Sequence, residues 1–305
     1  MKSQLITSLC KQTSIRKKAI TYVTAKKIKF THMKTIFYIS TLILSLFLYS
    51  CEEVIHVDLD TASPRLVVDA SINWEQGTDG AQQKIKLTTT TSYYSPTVPV
   101  VSGATVFVTN STNTVFDFIE IPTTGEYVCS NFIPQLNETY TLTVISNGQT
   151  YNATETLKSV ASIQDIVQNN EGGFTGDQVE IKTFFTDPAG EDNYYMFKYK
   201  YSNKTKLDYQ VNDDKFFQGN YFFSLTNNDD LSTGDRIDVT HYGISRSYYN
   251  YMNILLSVAG NTGGSPFQSP PATVRGNLIN ATNFDNYALG YFRLSETDSS
   301  NYIVE

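Results

Sequence analysis

Beyond Arg65 the chain alternates. Leu66, Val68, Ala70 and Ile72 take turns with Arg65, Asp69, Ser71 and Asn73. That is the period of a strand with one face buried. Strand-like runs return near 83–91, 104–110, 114–119, 125–129, 138–146 and 149–157. Turn chemistry separates them: Gly77-Thr-Asp-Gly80, Pro96 to Pro99, Asn110-Ser-Thr-Asn113 and Pro122-Thr-Thr-Gly125. Asn147-Gly148 lies between Tyr140–Ser146 and Gln149–Thr156. Two residues that tolerate positive φ, set between two alternating runs, predict a tight hairpin. About seven short strands in roughly 100 residues predict an immunoglobulin-like or prealbumin-like β-sandwich over 64–157. The Cys…Trp…Cys hallmark is absent, because Trp74 is the only Trp and Cys129 has no mate.

A second, mostly antiparallel β domain is expected over 158–305, so the fold class is mainly β. Strand patterns recur at 178–186, 193–201, 220–226 and 235–242. Gln168–Gly176 reads as a long polar loop. One amphipathic helix is predicted at about 245–259, with Tyr248, Met252, Leu255 and Leu256 at helical spacing. Ser245 or Ser247 can cap its start and Gly260 can end it. The proline-rich Gly263–Thr273 cannot be regular, since proline lacks a donor and fixes φ. Strands near 274–280 and 287–294 are expected to close the chain.

The amino end is of another kind. Thr35 to Ser50 carries no charge and follows Met33-Lys34. A basic start, a short apolar run and a small residue describe an export signal. The run is shorter than the ~20 residues a spanning helix needs. Leu48-Tyr49-Ser50-Cys51 resembles the lipobox of bacterial lipoproteins, which implies acylation of Cys51. Residues 33–50 are therefore read as the signal peptide and 1–32 as a mis-called upstream extension. Residues 51–63 are read as an acidic tether. Glu52 and Glu53 resemble a signal for transport to the outer face of the outer membrane. Asp60-Thr61-Ala62 resembles an O-glycosylation site at Thr61.

Nine of the 23 Lys and Arg precede Cys51 and none of the 30 acids do, which leaves 14 − 30 = −16 on the mature part. Such a balance argues against nucleic acid and against electrostatic adhesion to anionic lipid. Attachment to a membrane is expected through acyl chains. No disulfide framework exists, so stability is expected from hydrophobic cores.

Several stretches are distinctive together: Cys51-Glu-Glu-Val-Ile-His-Val-Asp-Leu-Asp60, Pro64-Arg-Leu-Val-Val-Asp69, Val101-Ser-Gly-Ala-Thr-Val106, Asp187-Pro188 and Asn193-Tyr194-Tyr195. Most specific are Pro266-Phe-Gln-Ser-Pro-Pro-Ala272 with Gly276-Asn277, and Ala288-Leu-Gly-Tyr-Phe292. Together they resemble a family of Bacteroidetes lipoproteins known as a domain of unknown function, often encoded beside TonB-dependent receptors. The resemblance implies structural or interface roles for Pro266, Phe267, Pro270, Pro271, Gly276, Asn277, Gly290, Tyr291 and Phe292. It supplies no catalytic residue.

Chemistry-bearing patterns are sparse. His56 lies in the tether, and His241 follows an alternating strand where an edge or core-rim place is expected. No HExxH, Cys pair or His cluster offers a metal site, and no nucleophile elbow appears. Asp187–Asn193 and Asn227–Asp230 carry oxygens without EF-hand spacing and are expected to be solvated loops. Aromatic pairs (Phe184-Phe185, Phe216-Phe217, Phe222-Phe223) are expected to send one ring inward and one outward. The expected function is a non-catalytic, surface-exposed accessory protein of the outer membrane, without a cofactor, working with a TonB-dependent receptor in nutrient uptake. The alternatives are a free-standing surface glycan-binding or adhesion module, and a carboxylate-dependent extracellular hydrolase. A glycan or peptide is the ligand class considered.

Overall fold

The computed structural model describes residues 63–305 except 93, 94, 174, 229 and 260–273. Cys51 and Thr61 lie outside the described residues, as do Pro266, Phe267, Pro270 and Pro271. Among the described residues no helix is long and apolar enough to cross a membrane.

Seven strands open the fold: β1 (Leu66–Glu75), β2 (Gln83–Thr89), β3 (Thr105–Asn110), β4 (Val115–Ile121), β5 (Glu126–Cys129), β6 (Thr139–Ser146) and β7 (Gln149–Thr156). Their neighbours run β1-β2-β5-β4-β3-β6-β7. β4 turns the corner, pairing Ile119 with Val128 of β5 and Phe118 with Val106 of β3. Inward residues of the two layers, among them Ile72, Ile85, Phe116, Tyr127, Val108 and Leu142, meet in one core. The β6–β7 hairpin turns on Asn147 and Gly148, both at positive φ (49° and 72°). The two-residue turn thus forms where the sequence predicts it.

The second half adds β8 (Ile163–Gly172), β9 (Gln178–Thr186), β10 (Tyr194–Tyr201), β11 (Asp208–Asp213), β12 (Tyr221–Asn228), β13 (Arg236–Gly243), helix α1 (Arg246–Val258), β14 (Ile279–Asn280) and β15 (Leu289–Ile303). β15 runs parallel to β1, with Val68 opposite Gly290 and Ile72 opposite Leu294, and antiparallel to β13 from Thr297 onward. It extends the first sheet by β13, β10 and β11. The small sheet β12-β9-β8 packs on one face of that extension. Tyr195, Phe197, Tyr199 and Tyr201 of β10 all face it, as the alternation predicts. Helix α1 covers the opposite face, laying Tyr248, Met252 and Leu256 against Met196, Tyr242 and Tyr291. Ser245 is the N-cap, its Oγ accepting from the Tyr248 amide at 3.1 Å, and Ala259 is the C-cap; Gly260 lies outside the described residues.

Two expectations need correction, and one strand, β11, was not expected at all. Gln168–Gly172 is strand, not loop. β8 is an edge strand with register shifts and little buried surface, so it carries no period-two signal. β11 is half-buried along its whole length and equally silent. β15 runs nine residues past 294 through Ser295-Glu-Thr-Asp-Ser-Ser-Asn. Those polar residues read as loop, yet Ser295, Glu296 and Thr297 are buried with partners supplied by distant segments. Glu296 accepts from the Val160 amide at 2.9 Å, and Thr297 donates to Glu75 at 2.7 Å.

Candidate functional site

The outward face of the small sheet gathers aromatic side chains. On β9 the alternation sends Ile181, Thr183 and Phe185 into the core and leaves Lys182 and Phe184 outside. Antiparallel pairing sets Phe223 of β12 opposite Phe184, and Leu225 opposite Lys182. Phe184 stacks on Tyr221, with centroids 5.0 Å apart and planes 11° apart, and tilts against Phe223 at 5.3 Å. Tyr221 is half exposed, and its hydroxyl donates to Asp165 of β8 at 2.7 Å. That bond to an anion raises the phenol pKa. The Lys182 ammonium lies 5.1 Å from the Phe223 centroid and pairs with Glu180 at 3.0 Å. Val167 and Leu225 extend the exposed apolar surface. The sheet therefore presents π-faces beside a carboxylate and an ammonium. Such a surface can stack on the apolar face of a sugar ring or bury against a protein, where aromatic residues are enriched.

The aromatic pairs follow their expected split in part. Phe185 and Phe217 are buried while Phe216 is almost fully exposed. Phe222 and Phe223 are both half-buried, Phe222 stacking on Phe217 at 4.2 Å.

His241 departs from the expected rim. It is fully buried, stacked on Phe197 at 4.1 Å, with Phe185 and Tyr195 against its edges. Burial pushes its pKa down to about 3, against the opposing effect of a 2.9 Å bond from Nδ1 to the Ala161 carbonyl. The ring is therefore neutral with its proton on Nδ1. Nε2 has no hydrogen-bond partner among the described residues. This is a core residue.

Among the described residues no three His, Cys, Asp or Glu side chains converge on a metal position. Asp187 is buried and fastens its loop, accepting from the Tyr195 hydroxyl at 2.6 Å and the Gly219 amide at 2.8 Å. Glu155 is buried between β7 and α1, accepting from Ser245 Oγ at 2.9 Å and the Tyr291 hydroxyl at 3.3 Å, and burial raises its pKa. Arg293 is buried beneath α1, between the rings of Tyr242 and Tyr248 at 4.9 and 5.4 Å, and donates to Asn73 Oδ1 at 2.9 Å.

The described motif residues serve the fold. A Cβ on Gly276 would overlap the Gly290 carbonyl oxygen, and one on Gly290 would overlap that of Val68. Asn277 is bonded to the Phe292 backbone through both ends of its amide. Phe292 fills the first core, and Tyr291 reaches Glu155.

A family model described as Domain of unknown function (DUF4249) matches residues 52–301. The chain belongs to this family. No protein of curated function matches it. Among solved structures, a two-domain fibronectin type-III segment from chicken tenascin is similar at 12% identity and a TM-score of 0.20, over 59% of this chain and 90% of that one. A cytokine receptor complex is similar at 7% identity and 0.24, over 60% and 86%. At those scores the likeness adds nothing to the strand pairings above. The DUF4249 match runs through most of both cores and through β15 as far as Asn301.

Sequence reading missed Asp165, Glu155 and Arg293. Each is an ordinary charged residue on or beside a strand, and only its distant partners set it apart. The aromatic pairs were the one signal pointing to the small sheet.

Proposed function

We propose that this DUF4249 chain is a lipid-anchored binding protein of the outer membrane, exposed at the cell surface and without catalytic activity. It acts as an accessory to a TonB-dependent receptor in nutrient uptake. The observation that carries the binding role is the Phe184–Tyr221–Phe223 face, where half-exposed Tyr221 stacks on half-buried Phe184 on the outer side of the small sheet. The buried, neutral His241 is consistent with a non-catalytic role. The anchor is supported by the uncharged run ending at Cys51 and by a family match that begins one residue later, at Glu52. Affinity purification of the carboxy-terminally tagged chain from native outer membranes in mild detergent, followed by mass spectrometry, tests the reading. A stoichiometric TonB-dependent receptor is expected. Recovery of the chain alone would remove the accessory role.

The same aromatic face favours a second reading, a free-standing glycan-binding module. Here the chain binds oligosaccharide without any receptor, and Tyr221→Ala abolishes that binding while leaving the fold unchanged. Glycan affinity insensitive to Tyr221→Ala would discard this reading.

A further inference from the structure

The start of β1 is where the described part of the chain meets the tether, and it lies at one end of the first sandwich. Arg65 ties that end together. Its amide donates to Thr90 Oγ1 at 2.9 Å, and its guanidinium donates to the carbonyls of Asp285 and Tyr287 at 3.2 and 3.4 Å. Next to it, the Thr89 amide donates to the Pro99 carbonyl. The connections before β3 and before β15 are thereby bonded to one residue.

This end has an unusual surface. Phe284 is 72% exposed and Val98 59%, both in connections, and Ile279 of the two-residue strand β14 is 57% exposed. The guanidiniums of Arg65 and Arg275 lie over the Tyr287 ring, 4.0 and 3.8 Å from its centroid. Among the described residues no carboxylate lies within ion-pairing distance of either, and Asp285 contributes its carbonyl rather than its side chain. On a part of the chain with a balance of −16, two guanidiniums without a carboxylate partner beside exposed apolar tips stand out. Apolar tips with a basic rim are the make-up of a surface that settles into the headgroup layer of a bilayer.

We propose that this end of the sandwich rests on the membrane that holds the anchor, with Phe284 and Val98 in the headgroup layer and Arg65 and Arg275 against lipid phosphates. The inference depends on the lipid-anchor reading above. Arg65 stands fourteen positions after Cys51, so an acylated Cys51 tethers the chain at this end. Contact with the bilayer would add an orientation that a single point of attachment does not impose. The small sheet, in the other half of the chain, would then be held at a defined attitude to the surface.

The test uses the full chain, purified with its anchor and returned to vesicles of phosphatidylethanolamine and phosphatidylglycerol. Nitroxide labels are placed by Phe284→Cys and Val98→Cys, with Phe216→Cys as the exposed reference, in a Cys129→Ser background. Labels at 284 and 98 should be severalfold less accessible to a water-soluble nickel chelate than the label at 216. All three should become equally accessible in detergent. Equal accessibility on vesicles overturns the inference while leaving the anchor intact. Protection in native outer membranes but not on vesicles assigns the end to a protein partner and also overturns it. A chain that does not sediment with vesicles removes the anchor itself.

Discussion

Asn277 stands beside Phe292 in the place of a strand. Its Oδ1 accepts from the Phe292 amide at 2.9 Å and its Nδ2 donates to the Phe292 carbonyl at 2.8 Å. β13 pairs with β15 only from Thr297 onward, so the first part of β15 lacks a strand on that side. Leaving buried backbone groups unpaired costs about 1–3 kcal/mol each. Asn277→Ala should therefore destabilise by about 2–4 kcal/mol. Thermal unfolding checks this, and a midpoint within a degree of wild type would refute it.

Gly290 has φ +90°, and a Cβ there would run into the Val68 carbonyl across the β1–β15 pair. Backbone cannot move aside as a flexible side chain can. Gly290→Ala should cost more than about 3 kcal/mol, combining left-handed strain with overpacking. Gly103→Ala, also at positive φ but facing open space, should cost only about 1 kcal/mol. Similar urea midpoints for the two variants would contradict the packing at β15.

Stability should fall on acidification because of His241. Burial holds its pKa near 3, while the unfolded chain titrates at the ordinary value of 6.5. Between those values the unfolded state binds a proton that the folded state refuses. The contribution is thus complete above pH 6.5 and drains away as pH falls towards 3. His241→Asn keeps a donor near the Ala161 carbonyl but cannot titrate. Its stability should fall less steeply between pH 6 and 4, by about 1.4 kcal/mol per pH unit. Parallel curves for the two proteins would show that His241 titrates normally.

Glu155 has the opposite sign. Burial raises its pKa in the folded state. Its contribution is present below the ordinary value and is lost as pH rises through the raised one. Glu155→Gln retains hydrogen-bonding groups for Ser245 and Tyr291 without a buried charge. It should raise the urea midpoint at pH 8 and leave it nearly unchanged at pH 4. A lower midpoint at pH 8 would mean that the charged carboxylate is needed to hold helix α1 against β7.

Much of the fold was legible in local sequence. The alternation from Leu66 to Ile72 became β1, with Val68, Ala70 and Ile72 inward. Asn147-Gly148 became the hairpin it predicts, and Ser245 became the helix cap. These features depend on neighbours in the chain: a period set by backbone geometry, a φ that few residues accept, a hydroxyl within reach of the next turn. What the tertiary structure decided depends on residues far apart. Ser295-Glu-Thr is strand because Arg293, Val160 and Glu75 meet its polar groups, and Glu75 lies 222 positions away from Thr297. Phe184, Tyr221 and Phe223 form one face because β9 and β12 pair in a particular register. His241 is a neutral core residue because Phe185, Tyr195 and Phe197 enclose it. Polar groups become buried, and rings become a surface, only when distant segments supply the partners and the register.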